Sequence, residues 1–157
     1  MFKMEPEEKF MEMAIEEAKK SAEEGNYALG CIVVKDGELI SVGHNKTKTE
    51  IDPTLHGEID AIRKACRKLN SGYLQGCILY TTLEPCPMCT STAIWAKMKG
   101  IVFGAFKEDA QKNQGEKFSW RQIDISSREI IKKGEPKLEL KEGFMRDECI
   151  KLFNLTK

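Results

Sequence analysis

Two short motifs constrain this chain more than any other feature, because together they supply the ligands of one metal ion. The first reads His56-Gly57-Glu58, and the second, further along, reads Pro85-Cys86-Pro87-Met88-Cys89. One imidazole and two thiolates form a donor set that suits zinc. Structural zinc is usually closed by four protein ligands, whereas catalytic zinc keeps a position open for water. Three ligands beside a separate carboxylate, Glu58, therefore predict a catalytic zinc site.

Both motifs fall at predicted helix starts that follow a loop or a strand. A helix over residues 56–69 follows Pro53-Thr54, and a helix over residues 87–97 opens with a proline, which favours the first turn. The positive end of a helix dipole favours the thiolate forms of Cys86 and Cys89. Two helix starts can thus converge on one ion.

Glu58 has the position expected of a general acid–base. It lies two residues from His56 in the sequence, so its carboxylate can reach a reacting water while His56 holds the metal. As a base it would take a proton from that water, and as an acid it would pass protons to the leaving group. We therefore assign Glu58 the catalytic role and His56, Cys86 and Cys89 the metal.

A structural alternative uses the same residues. The chain has only two histidines, His44 and His56, and both could join Cys86 and Cys89 in a closed Cys2His2 zinc module. That arrangement would be a non-enzymatic one. It leaves Glu58 and the two prolines of the second motif without a role.

The hydrophobic periodicity predicts one α/β domain over residues 1–157. Helices alternate with strands, which predicts a three-layer α-β-α fold with a mixed sheet of about five strands and helices on both faces. Residues 107–120 are polar and are predicted to be a loop. The predicted helices cover 6–24, 56–69, 87–97, a short helix opened by the capping box Ser126-x-x-Glu129, and a last helix from Met145 to Phe153. The predicted strands cover 31–35, 38–42, 77–83, 100–106 and 136–141, and Asp36-Gly37 between the first two predicts a two-residue hairpin turn.

The bulk composition favours a small substrate and a reducing compartment. The chain has 25 basic and 25 acidic residues, whereas nucleic-acid-binding domains usually carry a basic excess. No apolar stretch could span a bilayer, and the acidic N-terminus lacks the apolar block of a signal peptide. We therefore expect a cytoplasmic protein with no membrane contact, in which nucleic acid is a disfavoured partner. The four cysteines outside the second motif are expected to be buried core residues.

The chain resembles the cytidine-deaminase-like superfamily, whose zinc enzymes carry the pattern His-x-Glu followed by Pro-Cys-x-x-Cys. It looks most like bacterial-type guanine deaminases, is similar in places to fungal cytosine deaminases, and near its end resembles bacterial tRNA adenosine deaminases. The guanine-deaminase-like stretches are 33–37, 52–54, 61–66, 77–81 and 84–89. The cytosine-deaminase-like stretches are 43–45, 54–59 and 79–83, and the tRNA-deaminase-like stretch is 143–149.

This resemblance implies a zinc-dependent hydrolase that releases ammonia from an amino-substituted nucleobase. A free base is expected, with guanine favoured and cytosine or a related heterocycle next. The alternative is a tRNA-specific adenosine deaminase. Because members of these families form dimers, a homodimer is the expected assembly.

Several residues are candidate contacts for the base. Asn45 matches the asparagine that binds substrate in these families, although a loop-forming role is its alternative. Glu84 matches the glutamate before the Pro-Cys pair, and its alternative is to cap the loop. Asp109 and Glu116 are candidate carboxylates for an amino-bearing base edge, or else exposed loop charges. Phe118 and Trp120 could stack on the base, or else pack in the core or at a dimer contact.

Overall fold

A computed structural model of the protein describes residues 3–114 and 123–155. Its sheet has five strands and carries helices on both faces, which confirms the predicted three-layer α/β class. The helices are α1 (Glu8–Glu23), α2 (Gly57–Leu69), α3 (Pro87–Trp95), α4 (Lys107–Gln114), α5 (Ser127–Lys133) and α6 (Arg146–Ile150), followed by a 3-10 turn (Lys151–Leu155). The strands are β1 (Gly30–Lys35), β2 (Glu38–His44), β3 (Cys77–Leu83), β4 (Gly100–Ala105) and β5 (Glu139–Lys141). Within the described ranges, no helix is both long and apolar enough to cross a bilayer.

The sheet is mixed, with the strand order β2-β1-β3-β4-β5. Strand β1 runs antiparallel to β2 and to β3, whereas β4 runs parallel to β3 and to β5. Asp36 and Gly37 both have positive φ angles, of 51° and 75°, as a two-residue turn between twisted antiparallel strands requires. The Asp-Gly signal in the sequence thus marks the β1–β2 hairpin correctly.

Side chains alternate between the two faces of the sheet and fill two separate cores. Helices α2, α3 and α5 cover one face, and α1, α4 and α6 cover the other. The first core contains the strand residues Val33, Leu79 and Ile101. The second contains their sequence neighbours Ile32, Tyr80 and Val102. All six are buried, so the central strands read as continuous apolar runs rather than as alternating ones.

The predicted loop over 107–120 is wrong in its first part, because residues 107–114 form helix α4. This helix buries Ala110, but its other residues are almost all polar, so it shows no apolar stripe in the sequence. Its start is stabilised locally instead. Asp109 Oδ2 accepts a hydrogen bond from the backbone N–H of Phe106 at 2.8 Å, which satisfies one donor that a helix start leaves unpaired.

Helix α2, which carries the first motif, packs unusually closely against β2. A Cβ atom added at Gly43 of β2 would lie 2.5 Å from the backbone nitrogen of Ala61 and 2.7 Å from the carbonyl oxygen of Gly57. The hydroxyl of Ser41 donates to the Ala61 carbonyl at 2.7 Å, which ties the same pair of elements. The helix can approach the sheet this closely only because Gly43 has no side chain.

We predict that Gly43→Ala destabilises the protein by about 1–3 kcal/mol, because the new methyl group would force α2 away from β2. The measurement is chemical unfolding followed by circular dichroism. Gly72→Ala is the matched control, since a Cβ there meets nothing within 4 Å and should change stability by less than about 0.5 kcal/mol. Equal stability of Gly43→Ala and the wild type would contradict the close approach.

Candidate active site

The first residues of α2 and α3 bring the two sequence motifs together. His56 is the N-cap residue of α2 and Cys86 is the N-cap residue of α3, and both have extended backbone conformations. Neither side chain caps its own helix. Both lie instead in one cluster with Cys89, which is in the first turn of α3. The two helix starts therefore converge on one point, as predicted.

The spacing of the three side chains fits a zinc ion. His56 Nδ1 lies 3.6 Å from Cys86 Sγ and 3.6 Å from Cys89 Sγ. Zinc in tetrahedral coordination, with bonds of about 2.3 Å to sulfur and about 2.0–2.1 Å to nitrogen, separates such ligands by about 3.5–3.6 Å. Among the described residues, only these three form such a group of His, Cys, Asp or Glu ligands. The protein thus offers three ligands, as a catalytic site requires.

The pKa values of the two cysteines in the cluster are shifted in opposite directions. A hydrogen bond from Cys89 and the nearby His56 lower the pKa of Cys86 to about 4, so Cys86 is a thiolate at neutral pH. The hydrogen bond to Cys86 and burial raise the pKa of Cys89 well above its ordinary value. A metal that binds both sulfurs would therefore displace the proton of Cys89.

Glu58 lies beside the cluster and is not one of its ligands. It is in the first turn of α2, and its side chain is buried. Burial raises the pKa of its carboxyl above the ordinary value, which brings proton uptake and release closer to neutral pH. With His56, Cys86 and Glu84 it lines a small cavity whose other walls are residues of the β1 and β3 ends: Leu29, Thr81 and Leu83.

Cys31 is a neighbour of Glu58 that the sequence did not reveal. This cysteine of β1 is fully buried, as expected of a core residue, but its thiol also contacts Glu58 Oε1 at 3.6 Å. Burial and the Glu58 carboxyl raise the pKa of Cys31 well above its ordinary value, so it is a neutral thiol that can donate. Only the packing of α2 on β1 brings the two residues together, and no sequence motif marks that contact.

His44 is not part of the metal cluster, so the closed Cys2His2 arrangement does not form. Its Nδ1 lies 3.3 Å from Glu17 Oε1, and its Nε2 lies 2.8 Å from Glu24 Oε2. The ring is thus held between two carboxylates of α1 and of the residue that ends it. This histidine stabilises the packing of α1 against β2 and leaves the three-ligand site open.

The structure gives Asn45 and Glu84 clear local partners. Asn45 is buried after β2, and its Oδ1 accepts hydrogen bonds from the backbone and the hydroxyl of Thr47 at 3.1 and 2.9 Å, which is the loop-forming alternative. Glu84 lines the cavity, but its two carboxylate oxygens accept backbone N–H groups of Lys107 and Ser127. Their predicted contacts with a base stay predictions.

Asp109 is buried rather than an exposed loop charge, and its carboxylate is held by Arg146 through two hydrogen bonds of 2.7 and 2.8 Å. That ion pair lowers the pKa of Asp109 and joins α4 to α6. The carboxylate is absent from the described lining of the cavity, and its contact with a base stays a prediction. The other three candidates, Glu116, Phe118 and Trp120, lie outside the described residues.

Comparison with known proteins agrees with this geometry. Residues 4–105 match the family model of the cytidine and deoxycytidylate deaminase zinc-binding region. A tRNA-specific adenosine deaminase of Aquifex aeolicus is 46% identical over 98 residues, which cover 62% of this chain and 65% of that protein. A guanine deaminase of Bacillus subtilis is 43% identical over 101 residues, which cover 64% of this chain and 65% of that protein. The match thus spans about 65% of the length of each relative.

The fold is also similar to a solved structure, over a longer stretch of the chain. That structure comes from a study of A-to-I editing by tRNA:A34 deaminases and superposes with a TM-score of 0.77 at 28% identity. The superposition covers 93% of this chain and 99% of the other. The similarity of fold therefore continues beyond the region that carries the two motifs.

We predict that His56→Ala abolishes stoichiometric zinc binding, whereas His44→Ala keeps close to one zinc ion per chain. The reason is that only His56 lies within reach of both sulfurs. Metal analysis of the purified, dialysed variants measures this directly. Loss of zinc from His44→Ala, with the fold intact by circular dichroism, would contradict the three-ligand assignment and support the closed four-ligand site.

Proposed function

Because the chain belongs to the cytidine and deoxycytidylate deaminase family, we propose that it is a zinc-dependent hydrolase that releases ammonia from a free, amino-substituted nucleobase. The observation that carries this proposal is the position of Glu58. Its buried carboxyl, with a raised pKa, shares a cavity with two of the three metal ligands and is not one of them. In a closed structural zinc site, that carboxyl would have no chemical role.

The proposed reaction needs one group that moves protons, and Glu58 is placed to be that group. A bound zinc ion would supply Lewis acidity that makes water nucleophilic at neutral pH. Glu58 takes a proton from the attacking water and delivers it to the ring nitrogen next to the carbon under attack. It then takes the remaining hydroxyl proton and passes it to the amino group. The carbon–nitrogen bond breaks, ammonia leaves, and a ring carbonyl and the Glu58 carboxylate remain.

Two lysines beside residues of the candidate site favour a free base over RNA, because each is already paired with a carboxylate. The lysine next to Asn45, Lys46, pairs with Asp60 at 3.1 Å. Lys107, whose backbone binds Glu84 of the cavity, pairs with Asp124 at 2.7 Å. A surface that binds RNA needs cations that are available to phosphate groups. Guanine comes first among the free bases, on the strength of the similarity to the Bacillus subtilis guanine deaminase, and cytosine second.

The second candidate function is deamination of adenosine in tRNA. It is favoured by the 46% identity to the Aquifex aeolicus tRNA-specific adenosine deaminase and by the superposition on the structure from the tRNA:A34 deaminase study. Both candidates use the same metal ligands and the same Glu58. They differ only in what enters the cavity.

We predict that the zinc-loaded protein releases ammonia from one free base, with guanine as the first expectation, and that Glu58→Gln keeps its zinc but loses activity by a factor of about 10²–10⁴ or more. The assay panel contains guanine, cytosine, adenine, isocytosine, their nucleosides and a tRNA anticodon stem-loop with adenosine at position 34. Glu129→Gln is the matched control, since that carboxylate is exposed on α5.

The panel separates the candidates. Turnover of the stem-loop alone, with an affinity that weakens steeply as salt rises, would replace the free-base proposal by the tRNA one. Near-full activity of Glu58→Gln would refute the assigned acid–base role.

We also propose a homodimer. Trp95, at the end of α3, is 82% exposed in the single chain, which rules out a role in the core. It lies with Ile94 and Ile130 on an apolar groove between α3 and α5. In the proposed dimer, a second copy of the chain covers this exposed indole and its two apolar neighbours.

We expect sedimentation equilibrium to give about twice the chain mass of 17.8 kDa at micromolar concentration. Trp95→Glu should shift the protein towards the monomer, because a carboxylate in the contact would lose its hydration. A monomeric wild type would show that this groove does not join two copies.

A further inference from the structure

The Glu84 side chain accepts backbone N–H groups from two different helices. It directly follows β3 and precedes Cys86 by two residues, and its side chain is buried. Its Oε1 accepts the backbone N–H of Lys107 at 3.1 Å, and its Oε2 accepts the backbone N–H of Ser127 at 3.1 Å. Its own N–H donates to the carbonyl of Ala105 at 2.8 Å. Residue 84 is therefore fixed from three sides.

The two amides that bind the carboxylate begin two different helices. Lys107 is the first residue of α4, which packs on one face of the sheet, and Ser127 is the first residue of α5, which packs on the other. Backbone N–H groups at a helix start have no partner within the helix and carry the positive end of its dipole. A buried carboxylate that accepts from both forms charge-assisted hydrogen bonds, which are stronger than neutral ones.

We infer that Glu84 is a positioning residue that fixes the loop of Cys86 against α4 and α5. Because both carboxylate oxygens and the backbone N–H of residue 84 are held, this residue defines where the chain turns towards Cys86. Each carboxylate oxygen already accepts a backbone amide, so the fold holds the carboxylate in place without any contact from a base. The inference makes Glu84 a support of the metal site in place of a direct contact with substrate.

The test is Glu84→Gln, which keeps the shape but replaces one acceptor by an NH2 group that faces a backbone N–H. Residues that support metal ligands typically contribute 10- to 100-fold to metal affinity or activity. We expect the zinc affinity of Glu84→Gln, measured by competition with a chromophoric chelator, to fall by about that factor. We also expect the visible absorption bands of the Co²⁺-substituted protein to shift, because Cys86 moves relative to His56.

The matched control is Ser126→Ala. The Ser126 side chain accepts from the backbone N–H of Glu129 at 3.2 Å and so caps the same helix, α5, without reaching the cavity. This variant should lower thermal stability and leave the Co²⁺ spectrum and the zinc affinity unchanged. The pair of variants separates a loss of helix capping from a displacement of the metal-ligand loop.

Two results would overturn the inference. One is a Glu84→Gln protein with the Co²⁺ spectrum and zinc affinity of the wild type and only a lower melting temperature, which would make Glu84 a helix cap alone. The other is an unchanged metal site with a raised KM for the base and an unchanged kcat, which would make Glu84 a substrate contact. The spectrum and the zinc affinity need no substrate, so they decide this point even if no nucleobase is turned over.

A measurement on the wild type covers the case in which Glu84→Gln does not fold. Hydrogen exchange of the zinc-loaded protein should show the amides of Lys107 and Ser127 protected, although each opens a helix and has no acceptor within it. Removal of zinc with a chelator should speed the exchange of both amides if the carboxylate and the metal loop hold each other. Exchange of either amide at the rate of an unstructured peptide, with zinc bound, would contradict the proposed contacts.

Discussion

The site depends on the meeting of two helix starts at one point. Helices α2 and α3 share a face of the sheet, and each begins with a residue whose side chain serves the metal cluster instead of its own helix. His56 Nδ1 therefore lies 3.6 Å from both sulfurs. This arrangement depends on close packing of the elements, above all at Gly43, whose lack of a side chain lets α2 approach β2. Chemistry and packing are thus not separable in this half of the domain.

The sequence predicted those parts of the molecule in which local pattern and tertiary structure agree. The Asp-Gly hairpin, the capping box at Ser126 and the continuous apolar strand β3 each carry a signal within a few residues, and each forms where expected. Helix α4 was missed for the opposite reason. Its stabilising contacts are a cap from Asp109 and the packing of Ala110, and neither produces an apolar period. The metal cluster was predictable because its residue types are rare in combination, whatever the fold around them.

The surroundings of the cluster were much harder to predict, because buried polar side chains find their partners only through the fold. Asp109 and Glu84 are both acidic residues beside predicted loops, and the sequence alone offers them to a substrate. In the structure Glu84 accepts two backbone amides at helix starts, and Asp109 accepts one and also pairs with Arg146. Cys31 shows the reverse case, because its sequence pattern is that of a core residue but its thiol contacts the Glu58 carboxyl. Burial alone therefore does not show whether a polar residue positions the site or takes part in the reaction.

The boundary of the family match falls between the part of the chain that carries the two motifs and the segments after β4. The matched region ends at residue 105, so it contains Glu58 and the cluster of His56, Cys86 and Cys89 but stops just before α4. Relatives with different substrates, a tRNA deaminase and a guanine deaminase, share 46% and 43% identity with the chain over stretches of similar length. Glu84 joins the two parts, since it belongs to the matched region and accepts the first amides of α4 and α5, which do not. Through these two amides, the carboxylate ties the loop that leads to Cys86 to α4 and α5.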